Sequence, residues 1–185
     1  MTAASTAFDL QRFIADCRAA AGDVRRVADL VRAAVAEPAA VNTALQLAAA
    51  GKPGERVLYQ DNDLTVLNVR IPPGFRSPPH NHTLWAVVGI YEGQEDNTFY
   101  RLVDGQVRSI ERHEVRAPGV LTLDGNTIHA IANPLAQLTC GLHVYGGHLD
   151  DAPRSLWDPE TQHAEPFTRE RAMQISRRLM AARPA

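Results

Sequence analysis

The sequence predicts a mainly β protein, a barrel or jelly roll of short strands with helices before it and a short helix after it. Three observations carry this. From about residue 56 the apolar pattern changes from a helical to an alternating period. Eight candidate strands follow, over residues 56–59, 64–71, 82–91, 98–103, 106–111, 120–123, 127–131 and 138–145. Turn signals separate them: Asp61-Asn62-Asp63, Pro72-Pro73-Gly74, Asp104-Gly105, Pro118-Gly119, Asp124-Gly125 and Asn133-Pro134. Many short strands at regular spacing fit a closed or two-layered antiparallel sheet rather than a parallel one.

Before the strands, residues 1–54 read as a helical support region. Leu10, Phe13, Ile14 and Cys17 recur at helical spacing, Gly22-Asp23 interrupts, and Val24, Val27, Val31 and Val35 form a second stripe. Pro38 sits where the first turn of a third helix begins, Val41, Ala44, Leu45 and Ala48 give its buried face, and Gly51 with Pro53 stops it. Such alanine-rich helices have too narrow an apolar face to fold alone, so they should pack on the strands. Residues 55–157 form the barrel, in which Asp104-Gly105 is a two-residue hairpin turn. Residues 158–185 are a polar tail and a last helix, capped by Thr168, with Ala172, Ile175 and Leu179 on its buried side. The three parts make one compact domain.

At 185 residues the chain is long enough for one full core. A formal net charge of −2 gives no electrostatic case for nucleic acid or a membrane surface. No apolar run approaches the length of a bilayer span, and the first residues lack the pattern of a signal peptide. Cys17 and Cys140 lie in unlike contexts and read as free buried thiols. A cytoplasmic protein, monomer or homodimer, is the expectation.

Chemistry concentrates in residues 74–93, which read Gly-Phe-Arg-Ser-Pro-Pro-His-Asn-His followed by the apolar run 84–90. On a strand, His80 and His82 would leave the same face toward one point, a chelating geometry. A lone His-x-His pair is more often solvent-facing; here the preceding prolines and the following core strand favour a metal site. A third ligand is needed. His129 begins a short apolar strand and is the best candidate, since His113 sits in a charged segment and His148 and His163 in polar loops. Gly141, His143 and Tyr145, at spacing two, would share a face opposite Cys140, Leu142 and Val144. His143 and Tyr145 either satisfy each other as core polar groups or stand beside the metal.

The blocks 74–93 and 118–133 resemble the two motifs of the cupins, with five residues between Gly74 and His80, and Asn133 four after His129. The glutamate that many cupins place after the second histidine is replaced by Ala86 and Val87. That loss, with Leu142-His143-Val144-Tyr145, resembles the thiol dioxygenases, the cysteine and mercaptopropionate dioxygenase type. The resemblance covers roughly residues 56–157. It implies a cupin double-stranded β-helix, Fe(II) held by His80, His82 and His129, and His143 and Tyr145 as a hydrogen-bonded catalytic pair. It further implies a small thiol, 3-mercaptopropionate- or cysteine-like, oxidised to its sulfinate with O2. Three neutral imidazoles leave the ion its full charge, which favours a thiolate as a further ligand.

The chain also departs from that pattern. Gly141 stands where the family has a serine, and Val87 where animal cysteine dioxygenases carry a cross-linking cysteine. Gln60 and Arg154 match the substrate-anchoring positions of the bacterial mercaptopropionate type, with Arg70 and Arg76 as competing anchors. Trp85, Tyr91, Phe99 and Tyr100 read as core or cavity wall. Glu92, Glu95 and Asp96 read as solvated loop charges, Glu95 being a fallback carboxylate. Two alternatives stand beside the thiol dioxygenase: another metal-dependent cupin enzyme acting on a non-thiol substrate, and a non-catalytic cupin that binds a small ligand.

Overall fold

The structure, a computed structural model, describes residues 7–49 and 54–182. Three helices come first. α1 (Leu10–Ala19) is capped by the Asp9 side chain and buries Phe13, Ile14 and Cys17. α2 (Val24–Val35) is capped by Asp23 and buries Val27, Ala28, Val31, Ala34 and Val35. α3 (Pro38–Ala49) opens on its proline and buries Val41 and Leu45. Its expected stop at Gly51 and Pro53 lies outside the described residues.

Eight strands follow at the places the alternation marks: β1 (Gly54–Gln60), β2 (Thr65–Ile71), β3 (Ala86–Glu92), β4 (Gln94–Val103), β5 (Gln106–Arg116), β6 (Gly119–Leu123), β7 (Ile128–Ala132) and β8 (Thr139–Tyr145). β4 and β5 run further than expected and pair along a ten-residue hairpin ladder, closed at Asp104 and Gly105, whose φ values of 51° and 78° suit the twist of a tight hairpin. The tail, expected to be irregular up to its helix, contains two more short strands, β9 (Ser155–Trp157) and β10 (Ala164–Pro166), before α4 (Arg169–Ala181). Three residues are too few for a periodic signal. Thr168 caps α4 by accepting from Arg171 N, as expected.

One sheet has the order β1-β2-β8-β3-β6, a second β5-β4-β7, and β9 and β10 form a two-stranded ladder of their own. Isolated bridges from Arg76 to Ala132 and from His80 to His129 lay residues 76–80 along the free side of β7. The two walls are thus β2-β8-β3-β6 and 76–80-β7-β4-β5, the strand order of a jelly roll. The fold is mainly β with helices at both ends, as the sequence predicts.

The larger sheet has two apolar faces. Leu64, Val66, Val87, Leu142 and Val144 turn outward into the cluster formed with α1–α3, while Leu67, Val69, Ala86, Leu123 and Tyr145 turn inward against Phe75, Phe99 and Ile131. The helices therefore do pack on the strands. α2 lies so close to β3 that a Cβ at Gly89 would stand 2.3 Å from Val31 Cγ1, well inside contact distance, so any larger residue there must displace the valines of α2. Cys17 and Cys140 are free and buried on this outer side. Among the described residues no helix is long and apolar enough to cross a membrane.

Candidate metal centre

His80 and His82 do not share a strand, contrary to the sequence expectation of one strand over residues 82–91. β3 starts at Ala86; His80 is paired with the opposite wall, and the chain crosses between walls over residues 81–85, with Thr83 at a positive φ of 55°. A continuous strand cannot pair with both walls at once, so the apolar run overstated its length. The loop is fixed by its backbone instead. His80 exchanges both amide bonds with His129, at 2.8 and 2.9 Å, Asn81 N donates to Ser155 O at 3.0 Å, and Trp157 N donates to Pro79 O at 2.8 Å. Ser155 N returns a bond to the Asn81 side chain at 2.8 Å.

The three imidazoles converge all the same. Ring centroids lie 5.1 Å apart for His80 and His82, 4.7 Å for His80 and His129, and 5.0 Å for His82 and His129. Their ligand nitrogens all fall within 4.8 Å of one another, and no other group of three or more such side chains does so among the described residues. His80 Nδ1 lies 3.0 Å from Pro78 O, which can only accept, so Nδ1 carries the proton and Nε2 keeps its lone pair. His129 Nδ1 likewise meets Asn97 Oδ1 at 2.8 Å, and its Nε2 is buried with no hydrogen-bond partner.

Burial first, then the neighbouring imidazoles, hold His82 and His129 well below the usual histidine range, and burial pushes His80 down to about 4. All three are neutral at pH 7. Converging, unprotonated nitrogens, one of them orphaned in the interior, suit a divalent transition ion, and His80, His82 and His129 are the residues that would hold it.

Beside them stand His143 and Tyr145 on β8. His143 Nδ1 is 3.2 Å from the Tyr145 hydroxyl, and the Tyr145 ring lies 5.0 Å from that of His82. Both turn inward, opposite Cys140, Leu142 and Val144, as the alternation predicts.

Glu95 corrects the sequence reading. It is no solvated loop charge: it sits on β4 with 0 % exposure, and burial pushes its carboxyl group up to about 7. Asn97 Nδ2 donates to its Oε1 at 3.0 Å, and its Oε2 lies 3.8 Å from His143 Nε2. Glu95, Asn97 and Phe99 alternate inward at spacing two, the same signal that marks β8. Starting β4 at residue 98 hid it.

The candidate anchors part company. Arg154 lies close enough to His80 and His82 to disfavour their charged forms, and its guanidinium stands 4.1 Å over the Phe167 ring. Arg154, Phe167, Phe75, Ile131, Met173 and His80 line a cavity of about 400 Å³. Gln60 pairs in register with Thr65, itself opposite Tyr145, and its amide reaches Thr65 Oγ1 at 3.4 Å and Asp150 at 3.5 Å.

Arg70 is opposite Cys140, and its guanidinium lies beside the Cys140 thiol, since it shares the strand parity of Val66 and Asn68; Arg70 is also among the residues that line the cavity of Arg154 and His80. Arg76 and His113 are exposed, His163 is exposed, and His148 pairs with Asp151 at 3.1 Å. Asn133 is buried and fastens a turn, donating to Ile71 O at 2.9 Å and Gln137 O at 2.8 Å.

No protein-family model matches the chain. Solved structures with which it aligns include an uncharacterized conserved protein with a double-stranded β-helix domain from Klebsiella pneumoniae, at 16 % identity over 57 % of this chain and 80 % of that one, TM-score 0.46. An RmlC-like cupin family protein from Methanocaldococcus jannaschii aligns at 15 % identity over 54 % and 84 %, TM-score 0.45. A DMSP lyase from Ruegeria pomeroyi aligns at 18 % identity over 54 % and 46 %, TM-score 0.43.

Proposed function

We propose that this chain is a non-haem iron(II) dioxygenase that oxidises a small thiol to its sulfinate, both oxygen atoms of O2 passing to the sulfur. The observation that carries the reading is three neutral, converging imidazoles with no carboxylate among them, and a His143–Tyr145 pair on the adjoining strand. Iron(II) bound by His80, His82 and His129 would supply the positive charge that favours a thiolate and the site at which O2 is reduced.

The chain's own residues do the rest. Arg154 offers a guanidinium to the carboxylate of a substrate lying in the adjoining cavity. His143 Nδ1 holds the Tyr145 hydroxyl in place, and that hydroxyl, beside the His82 ring, can donate to substrate. Phe75, Phe167 and Ile131 give that cavity apolar walls.

A second reading, a metal-dependent enzyme acting on a non-thiol substrate, is favoured by Gly141, which offers no hydroxyl where thiol dioxygenases carry serine. One experiment separates them. Anaerobically iron-loaded protein is given cysteine, 3-mercaptopropionate, cysteamine and a thiol-free analogue, and O2 uptake and sulfinate are followed. Uptake with one thiol and formation of its sulfinate is expected. No uptake, with iron confirmed in the protein, would overturn the thiol reading.

A further inference from the structure

Two buried polar atoms face one another inside the barrel without hydrogen-bond partners, Glu95 Oε2 and His143 Nε2, 3.8 Å apart. Orphaned groups of this kind are costly in an interior, and each is the natural partner of the other once one proton lies between them. Gly141, two residues before His143, brings no side-chain partner to Nε2, and a Cβ at that position would stand 3.1 Å from it. A carboxyl group from the opposite wall takes up that role.

We propose that Glu95 is a positioning residue, whose carboxyl group decides which nitrogen of His143 carries the proton and thereby which way the Tyr145 hydroxyl donates. With Glu95 ionised, His143 Nε2–H donates to Oε2, and Nδ1, left with a lone pair, accepts the Tyr145 O–H. With Glu95 protonated, Oε2–H donates to Nε2, Nδ1–H donates to the tyrosine oxygen, and the phenolic proton is released toward the His82 side of the site. Glu95 Oε2 and His143 Nε2 must first close from 3.8 Å to hydrogen-bond distance; beyond that approach, only the protons along the chain shift.

Asn97 sets the orientation of this chain. Its Oδ1 accepts from His129 Nδ1, so its Nδ2 must face Glu95, where it donates to Oε1 at 3.0 Å. Oε1 is thereby held as an acceptor and Oε2 is the atom turned to His143. One asparagine thus connects a candidate metal ligand to the carboxyl group behind the tyrosine. Asp96 on the same strand and His143 on β8 are the titratable neighbours of Glu95.

The kinetic consequence rests on the dioxygenase reading; the proton placement does not. The test uses full-length protein labelled with ¹⁵N-histidine, loaded with zinc, at about pH 8.5, well above the range in which Glu95 holds its proton. In Glu95→Gln, Asn97 keeps the amide oxygen, so the amide N–H faces His143 Nε2 and forces the proton onto Nδ1. The expected result is His143 protonated at Nε2 in the wild type and at Nδ1 in Glu95→Gln. The iron-loaded variant should retain its metal and lose about 10–100-fold in kcat, the usual scale for such outer partners, with KM unchanged.

The same tautomer in both proteins overturns the proposal, whatever the kinetics. A tautomer that switches while the wild type shows no thiol-dependent O2 uptake upholds the role of Glu95 and rejects the dioxygenase. Loss of metal in Glu95→Gln with no switch would make Glu95 a support for Asn97 and His129, and also overturns it.

Discussion

His80 and His129 exchange both of their backbone hydrogen bonds, at 2.8 and 2.9 Å, and hold their rings 4.7 Å apart. The backbone pairing that joins an irregular segment to β7 thus also sets two candidate ligands side by side. His129→Ala keeps that pairing and removes one nitrogen, so the variant should fold and lose stoichiometric metal and activity, whereas His113→Ala, on the exposed face of β5, should keep both. Elemental analysis of purified proteins decides, and full metal retention by His129→Ala would reject the three-histidine set.

Tyr145→Phe deletes one hydroxyl and leaves the ring that packs with Leu67 and Val69 in place. Metal content should be unchanged and turnover should fall about 10–100-fold, the range for a group that orients or donates at a metal site. Steady-state kinetics on the iron-loaded variant check this; unaltered kcat and KM would leave Tyr145 a structural residue.

Glu95 makes stability depend on pH. Its folded value, about 7, lies above the ordinary 4.5, so the native state holds a proton that the unfolded chain gives up. Stability contributed by that proton is present below about pH 4.5 and is lost as pH rises through about 7, a total of about 3 kcal/mol. The four imidazoles of the site act oppositely: desolvation lowers His143 to about 3 and His80 to about 4, so their neutral forms add stability as pH rises toward the unfolded histidine range. The comparison with Glu95→Gln isolates the glutamate. In urea titrations of metal-free protein, the difference between wild type and variant should move steadily against the wild type between pH 5 and pH 8; a constant difference would contradict the burial argument.

Gly89→Ala should loosen the helical cover. Its Cβ would meet Val31 Cγ1 at 2.3 Å and Val35 Cγ1 at 2.9 Å, so α2 must lift or its valines must turn. Overpacking of this kind costs about 1–3 kcal/mol. Thermal melts should show the loss, and Val31→Ala in the same chain should restore part of it; a melting temperature equal to that of the wild type would show that α2 yields freely.

Alternation and turn residues made the main strands legible, because most of them turn an apolar face to the core, the largely exposed β5 aside, and each turn carries its own chemistry. The triad was legible for a less secure reason. His80 and His82 were placed together on a strand that the structure breaks, yet proximity in sequence kept them close, and His129 was drawn in by pairing between walls that no local pattern records. Arg70 was ambiguous by one parity step, and only the identity of the outward face resolves it. Glu95 was obscured by its neighbours: Gln-Glu-Asp-Asn is polar throughout, so nothing in the residue types marks the inward face that holds Glu95 and Asn97. Residues 155–157 were missed because their pairing is with the histidine loop and with each other's short partner, not with a periodic strand.

The outward apolar face of the large sheet sets a limit on dissecting this molecule. A fragment beginning at Gly54 would retain every histidine discussed above, yet it would present Leu64, Val66, Val87, Leu142 and Val144 to water as one continuous surface. Such a surface invites self-association. The first three helices supply none of the candidate ligands, but they cover that surface, and any minimal version of the site will have to carry them or replace them.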